Sequence, residues 1–250
     1  MQVVILAAGR GDRFASAGYT QMKPLIPVNG HAMIWYALRQ AMAVSLGTEI
    51  HEAIVLCPQS IRHDVWTEAP EDCVPKIIGV QHTQRGAAMT LLAAAAVLDE
   101  DQPVLVMDCD SIIDPALIKA FVAHAEAHFT HPLSSTVSMV LTFKPTDGSA
   151  RYSFVEYEGQ EVTRIVEKQP ISDMATCGVH VFKTWSRLRA AIAAMVFYDN
   201  STNGEFYLAP VHSYMLRMGD VLLHEIPEKE FHVVGTPEQL EAYEQAVSKA

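Results

Sequence analysis

Short runs of branched apolar residues alternate with longer mixed stretches through the first half of the chain. Val3–Leu6, Ala53–Cys57, Ile77–Val80 and Val104–Met107 are apolar without interruption. That is the character of strands buried on both faces. Between them, His31–Leu46, Ile61–Trp66 and Gly86–Leu98 read as helices. Asp114 followed by Pro115 supplies the N-cap and first position of another. This alternation predicts βαβ units: an α/β, Rossmann-like fold with a mixed, mostly parallel sheet and helices on both faces. The second half is less regular. Val137–Phe143, Phe154–Tyr157, Val162–Glu167, Thr176–Phe182 and Val221–Ile226 read as strands, with a turn at Glu158-Gly159. Thr184–Met195 and Phe206–Met218 read as helices. Thr236-Pro237-Glu238-Gln239 has a capping-box pattern with proline at the first helical position, so a last helix starts there.

Composition narrows the function classes. Half of the 250 residues are hydrophobic, enough for a substantial core, and no repeat or linker interrupts them. The expectation is a single domain over residues 1–250. The formal net charge of −11 argues against nucleic acid or an anionic membrane as a partner, since both select surplus lysine and arginine. Gly9 and Arg10 end the first apolar run far short of a leader segment, and Ala87–Leu98 is too short to cross a bilayer. The four cysteines are scattered, as expected of buried thiols in the cytoplasm rather than a disulfide or zinc framework.

Against that acidic balance, the end of the first strand is locally basic. Leu6-Ala7-Ala8-Gly9-Arg10-Gly11 leads into Arg13, and Lys23 follows. Ligands of open α/β sheets bind at the carboxyl ends of the strands. Gly9 and Gly11 allow close backbone approach, and the cations suit phosphate oxygens. The stretch reads as a polyphosphate cradle. It lacks the Gly-Lys-Ser/Thr of a Walker loop, and the third glycine and following helix of a dinucleotide fingerprint. Asp108 and Asp110 follow the strand Val104–Met107, where paired carboxylates can hold Mg²⁺, which prefers oxygen ligands and substrate phosphates.

These motifs, in this order, resemble the signature of sugar-phosphate nucleotidyltransferases. The resemblance rests on Leu6–Phe14 with Lys23-Pro24-Leu25, Gln81–Ala88, Val106–Asp110, Val166–Pro170, Asn203–Leu208 and Gly235–Leu240. Short bacterial members, often found with capsule or surface-polysaccharide biosynthesis, are the nearest likeness. The resemblance implies a nucleotide-binding half at 1–130 and an acceptor-binding half at 131–250, and that Arg13 and Lys23 are catalytic, stabilising charge on the triphosphate. It implies that Leu6, Ala7, Ala8, Gly9, Arg10, Gly11, Gln81, Gln84 and Gly86 bind the nucleotide. It gives Lys168 the acceptor phosphate, and Glu167 a sugar hydroxyl. Ser153 stands where relatives carry glycine. Asn203 and Glu205 either meet the sugar or cap the following helix. Asp110 matches the family's metal aspartate, with Asp108 assisting. Many relatives carry a second metal aspartate just before the late Gly-Thr-Pro, where this chain has His232-Val233-Val234; His232 is a candidate substitute, though a structural histidine fits better. His124 and His128 share a helix face near His131, the spacing of a metal-binding pair, but no cysteine or carboxylate joins them at good spacing, and a solvated helix end fits better.

The implied reaction is attack by an acceptor phosphate on the α-phosphorus of a nucleoside triphosphate, with release of pyrophosphate. Base, acceptor and oligomeric state stay open, a homo-oligomer included. The rival readings are transfer to a non-sugar phosphate, a glycosyltransferase using Asp108-x-Asp110 on a nucleotide sugar, and a regulatory nucleotide-binding subunit without catalysis.

Overall fold

The computed structural model describes residues 1–44, 53–81 and 85–248. The first strand, β1 (Gln2–Leu6), is followed by a short helix α1 (Asp12–Ser16) and a small hairpin, β2 (Pro27–Val28) and β3 (His31–Ala32). Then come α2 (Met33–Met42), β4 (Ala53–Pro58), α3 (Arg62–Thr67), β5 (Lys76–Val80), α4 (Ala87–Leu91) and β6 (Val104–Asp108). The chain continues through β7 (Ser111–Ile113), α5 (Pro115–Thr130), β8 (Thr136–Phe143), β9 (Ser153–Glu158), β10 (Glu161–Glu167) and β11 (Ala175–Phe182). It ends with α6 (Trp185–Phe197), α7 (Val211–Met215), β12 (Asp220–Glu225), β13 (Phe231–Val233) and α8 (Pro237–Val247).

Nine strands form one sheet in the order β5-β4-β1-β6-β11-β8-β12-β10-β9. The pairings β5–β4, β4–β1, β1–β6 and β8–β12 are parallel, and only β11 and β10 run against the rest. The mixed, mostly parallel sheet expected from the alternation is therefore present. One apolar layer packs α2, α3 and α5 on one face; another packs α4, α6 and α7 on the opposite face.

The topology places the site. From β1 the chain steps outward to β4 and β5, then returns to lay β6 on the other side of β1. The crevice at such a reversal, outside the carboxyl ends of the strands, is where open α/β sheets bind ligands. Here it lies between the loop after Leu6 and the turn after Asp108.

The helix starts with capping chemistry form as read. Asp114 Oδ1 accepts from Ala116 N at 2.8 Å, and Thr236 Oγ1 accepts from Gln239 N at 3.3 Å. Other expectations need correction. His31–Ala32 is a strand, so that helix begins only at Met33; its expected end at 45–46 lies outside the described residues. The Gly86–Leu98 stretch is α4 followed by a single 3-10 turn, Leu92–Ala94. A short helix, α1, does follow the opening glycines. Phe206–Met218 is helical only over α7. Phe206 is held by its backbone instead, its N–H donating to Arg85 O at 2.7 Å and its carbonyl accepting from Ala88 N at 3.0 Å. Pro210, which has no N–H, then sets the helix start.

Candidate active site

Two compartments open at the reversal. The first, about 330 Å³, is lined by Lys23, Asp110, Ser153, Glu167, Lys168 and His180 among others. The second, about 280 Å³, is lined by Leu6, Ala7, Ala8, Gly9, Arg10, Gln81, Gly86 and Glu205 among others. They share Lys23, Ala87, Asp108, Asp110 and Tyr207, so they meet around the Lys23–Asp110 pair.

The opening loop forms the wall of the second compartment. Ala7 N is used by the sheet, donating to Leu56 O at 2.8 Å. Among the described residues, the N–H groups of Ala8, Gly9, Arg10 and Gly11 have no protein acceptor. A methyl added at Gly9 would meet open space. At Gly11, where φ is +70°, it would come 3.0 Å from Lys23 Cβ, so this glycine lets Lys23 pack against the loop. Arg10 lines the second compartment; Arg13, on α1, lines the first.

Lys23 Nζ lies 2.5 Å from Asp110 Oδ2, and both are part-buried. Burial opposes the charge on Lys23, but Asp110, with Cys109 and Asp108, outweighs it and holds the ammonium above its ordinary range. Asp108 closes β6 beneath this pair. Burial, then the charge of Asp110, pushes its carboxyl up to about 7, with Lys23 opposing. Close-packed glycines admit the two carboxylates. A methyl at Gly178 would fall 2.6 Å from Asp108 Oδ2, and one at Gly235 2.5 Å from Asp110 Oδ2.

The far wall of the first compartment is a hydrogen-bonded chain. Ser153 Oγ donates to Glu167 Oε2, which is buried. Lys168 Nζ lies 3.4 Å from Glu167 Oε1 and donates to the Tyr207 hydroxyl at 2.5 Å. Tyr207 in turn donates to Glu205 Oε2 at 2.7 Å. Burial pushes the Glu167 carboxyl up, with Ser153 and Lys168 opposing. Lys168 takes φ +54°, the left-handed region, where its backbone N–H reaches Tyr152 O at 2.9 Å.

Most of the sequence-predicted residues therefore converge. Gln81 lines the second compartment, and Gln84 lies outside the described residues. Gly86 lines the same compartment, but its conformation is dictated by Phe206: at φ +98°, a methyl there would sit 2.6 Å from Phe206 O. Asn203 lines neither compartment, and neither does Gly11, which packs against Lys23. Asn203 and Gly204, both at positive φ, form the two-residue turn between Thr202 and Glu205, which has the character of a type I′ hairpin. Neither Asn203 nor Glu205 caps a helix, because the next one starts after Pro210. His232 does not face the carboxylates either. On β13, Val233 points into the first compartment, whereas His232 points the other way, against Tyr243. His124 is not simply solvated: its Nδ1 lies 2.9 Å from Nδ1 of His224 on β12.

Sequence reasoning missed Tyr207, Arg151, Thr176 and His180, all lining the first compartment. Tyr207 follows Glu205 by two residues, and an extended segment returns such a pair to one side. Thr176, Gly178 and His180 alternate along β11 in the same way.

Comparison with known proteins gives the family and the fold. The chain is 30% identical over 218 residues to the bifunctional protein GlmU of Azorhizobium caulinodans, covering 82% of this chain and 44% of GlmU. It thus spans less than half the length of that relative. It is 24% identical over 222 residues to the UTP–glucose-1-phosphate uridylyltransferase AglF of Haloferax volcanii, covering 88% of this chain and 85% of AglF. The fold matches the crystal structure of a nucleoside-diphosphate-sugar pyrophosphorylase from Vibrio cholerae, with a TM-score of 0.78 at 19% identity over 98% of this chain and 100% of that one. The nucleotidyl transferase family model matches residues 2–249, and the chain belongs to that family.

Proposed function

We propose that this protein transfers a nucleoside monophosphate from a nucleoside triphosphate to a sugar 1-phosphate, releasing pyrophosphate and forming a nucleotide sugar. The observation that carries the reading is the junction of two compartments at Lys23–Asp110, one walled by unpaired loop amides and the other by Lys168. The printed activity of AglF, on UTP and glucose 1-phosphate, supports the sugar 1-phosphate class. The two halves of the chain divide the work: residues 1–130 bind the nucleotide and residues 131–250 most of the acceptor.

In this reading the base lies toward Gln81 and Gly86. The triphosphate follows the loop amides of Ala8–Gly11 past Lys23, with Arg10 and Arg13 flanking it. The acceptor phosphate sits at Lys168, and Glu167, kept in place by Ser153, takes a sugar hydroxyl. One acceptor oxygen forms a bond to the α-phosphorus. The bond from that phosphorus to the bridging oxygen breaks, and its electron pair leaves with pyrophosphate. A phosphate is already a nucleophile, so no side chain has to remove a proton. The protein's contribution is alignment and fixed positive charge. Lys23 leaves Asp110 to meet the α-phosphate, whose negative charge replaces that of the carboxylate in favouring the ammonium form.

Among the described residues, no three His, Cys, Asp or Glu side chains converge to hold an ion unaided. Asp108 and Asp110 fit Mg²⁺ in the way it is commonly bound, by one or two carboxylates with substrate phosphates and water completing the shell. They are the residues that would hold it, and it would supply charge neutralisation at the phosphates. No helix among the described residues is long and apolar enough to cross a membrane, and the buried thiols favour a reducing cytoplasm.

A mass-spectrometric screen tests the reading. The protein is mixed with Mg²⁺, the common nucleoside triphosphates and a pool of phosphorylated metabolites. The expected result is a nucleoside-diphosphate-linked sugar together with pyrophosphate, its mass naming base and acceptor. Consumption of a nucleotide-sugar pool without pyrophosphate would replace it with glycosyl transfer.

A further inference from the structure

The sheet floor beneath the acceptor compartment holds a line of buried polar groups that the reaction above does not use. Ser138 on β8 and His212 on α7 are fully buried, and His180 on β11 is 3% exposed. Ser138 Oγ lies 2.9 Å from His212 Nδ1, and His212 Nε2 lies 3.0 Å from His180 Nδ1. Phe182 stacks on the His212 ring at 4.7 Å. The remaining ring nitrogen, His180 Nε2, has no hydrogen-bond partner among the described residues. It is not sealed in either: the buried side-chain polar atom without a partner among the described residues is Trp185 Nε1 alone, and His180 lines the first compartment.

The order of protons along this line follows from satisfaction of donors. Ser138 has one hydrogen-bond partner. A buried hydroxyl with a single partner keeps its proton satisfied only by donating, so Ser138 donates to His212 Nδ1. A neutral His212 then carries its proton on Nε2 and donates to His180 Nδ1. A neutral His180 in turn carries its proton on Nε2, aimed at the compartment. The reverse order would bury an unpaired hydroxyl proton. Both rings are neutral, because burial holds each imidazole far below its ordinary range, His180 down to about 3.

We propose that His180 is a specificity-determining residue that presents a fixed, uncharged N–H donor to a neutral oxygen of the acceptor sugar, and that the buried Ser138–His212 pair sets its tautomer. The proposal rests on the acceptor site of the reading above. Lys168 takes the charged end of the acceptor, and His180 reads its uncharged body. A hydroxyl or ring oxygen at that point is accepted. An ammonium group, which can only donate, is rejected.

Two measurements on the full chain test it. The first needs no substrate: long-range ¹H–¹⁵N correlation of ¹⁵N-histidine protein at pH 7. His180 should appear as the Nε2–H tautomer, and Ser138→Ala should give a mixture of tautomers. An Nδ1–H or doubly protonated His180 in the wild type would overturn the proposal. The second is kinetic, with the acceptor and triphosphate found by the screen. His180→Phe, checked for native circular dichroism, should raise KM for the acceptor about tenfold. KM for the triphosphate should stay within about twofold, and the loss should vanish on one member of a monodeoxy acceptor series. Ser138→Ala, the smaller change, should raise the acceptor KM in the same direction. Equal acceptor KM in wild type and His180→Phe, or an equal rise for both substrates, would sink it. A wild-type protein that turns over no sugar 1-phosphate would instead defeat the functional reading, with the tautomer result unaffected.

Discussion

At the scale of single residues, the site is organised by one ion pair with two futures. Lys23 and Asp110 neutralise each other at 2.5 Å while no substrate is bound, and the proposed reaction needs them apart, one on phosphate and one on a cation. Lys23→Ala and Asp110→Ala should therefore each lower kcat by about 10²–10³, with circular dichroism unchanged. Pyrophosphate release measured on the two purified variants checks this, and near-normal turnover in either would remove that residue's role. Tyr207 makes a different prediction. Its hydroxyl joins Lys168 to Glu205, so Tyr207→Phe loosens the lysine without touching the opening loop. Acceptor KM should rise roughly tenfold or more, about 1.5–3 kcal/mol for one hydrogen bond to a charged group, and KM for the triphosphate should stay put. Lys23, Asp110 and Lys168 were legible in the sequence because each sits in a spaced motif. Tyr207 and His180 were not, because what matters about them is the partner each meets across the fold.

At the scale of elements, the glycines separate space for a ligand from space for the backbone. Gly86 starts α4 at φ +98° with the Phe206 backbone against it, so Gly86→Ala should destabilise the fold by about 2–3 kcal/mol. A methyl at Gly9 meets nothing, so Gly9→Ala should change stability by less than about 0.5 kcal/mol yet raise KM for the triphosphate. Urea titration and steady-state kinetics of the pair check both statements. The opposite ranking would mean that the first loop is structural and Gly86 is there for the base. The capped helices α5 and α8 were readable because their start signals are local side-chain bonds. The helix drawn over Phe206–Met218 was not: its first residues are taken by hydrogen bonds to Arg85 and Ala88, far away in sequence. The pairing of β7 with β13, which carries Gly235 to Asp110, was invisible for the same reason.

At the scale of the molecule, the buried histidines link the site to stability. His180 and His212 are neutral in the fold, and an unfolded chain binds protons on both below about pH 6.5. The unfolded state then holds more protons than the folded state, so stability falls as pH falls from about 6.5 toward about 3, where His180 would charge in place. From pH 7 to pH 5 each of these histidines should cost about 2 kcal/mol of folding free energy. Replacing His180 by Phe should make the fall in stability over that interval shallower by about that amount, whatever its effect at pH 7. Urea denaturation at the two pH values measures it, and an unchanged slope would mean that His180 is protonated in the fold. The same scale explains how a chain of net charge −11 can hold a triphosphate. Arg10, Arg13, Lys23, Arg151 and Lys168 are drawn from separate segments to the walls of adjoining compartments, where they stand beside Asp108, Asp110, Glu167 and Glu205, so cations are gathered at the site although the chain as a whole is acidic.

By itself, the sequence determined the sheet class, the capped helix starts and the residue types of the two poles. These depend on periodicity and on contacts within a few residues, which the order of side chains carries directly. Only the tertiary structure decided that Val233 rather than His232 faces the carboxylates, that Gly86 answers to Phe206, and that Ser138, His212 and His180 form one line into the first compartment. Each of those depends on strand register or on pairing between distant segments. A shift of one position along a strand exchanges the side chain in the site for the one behind it.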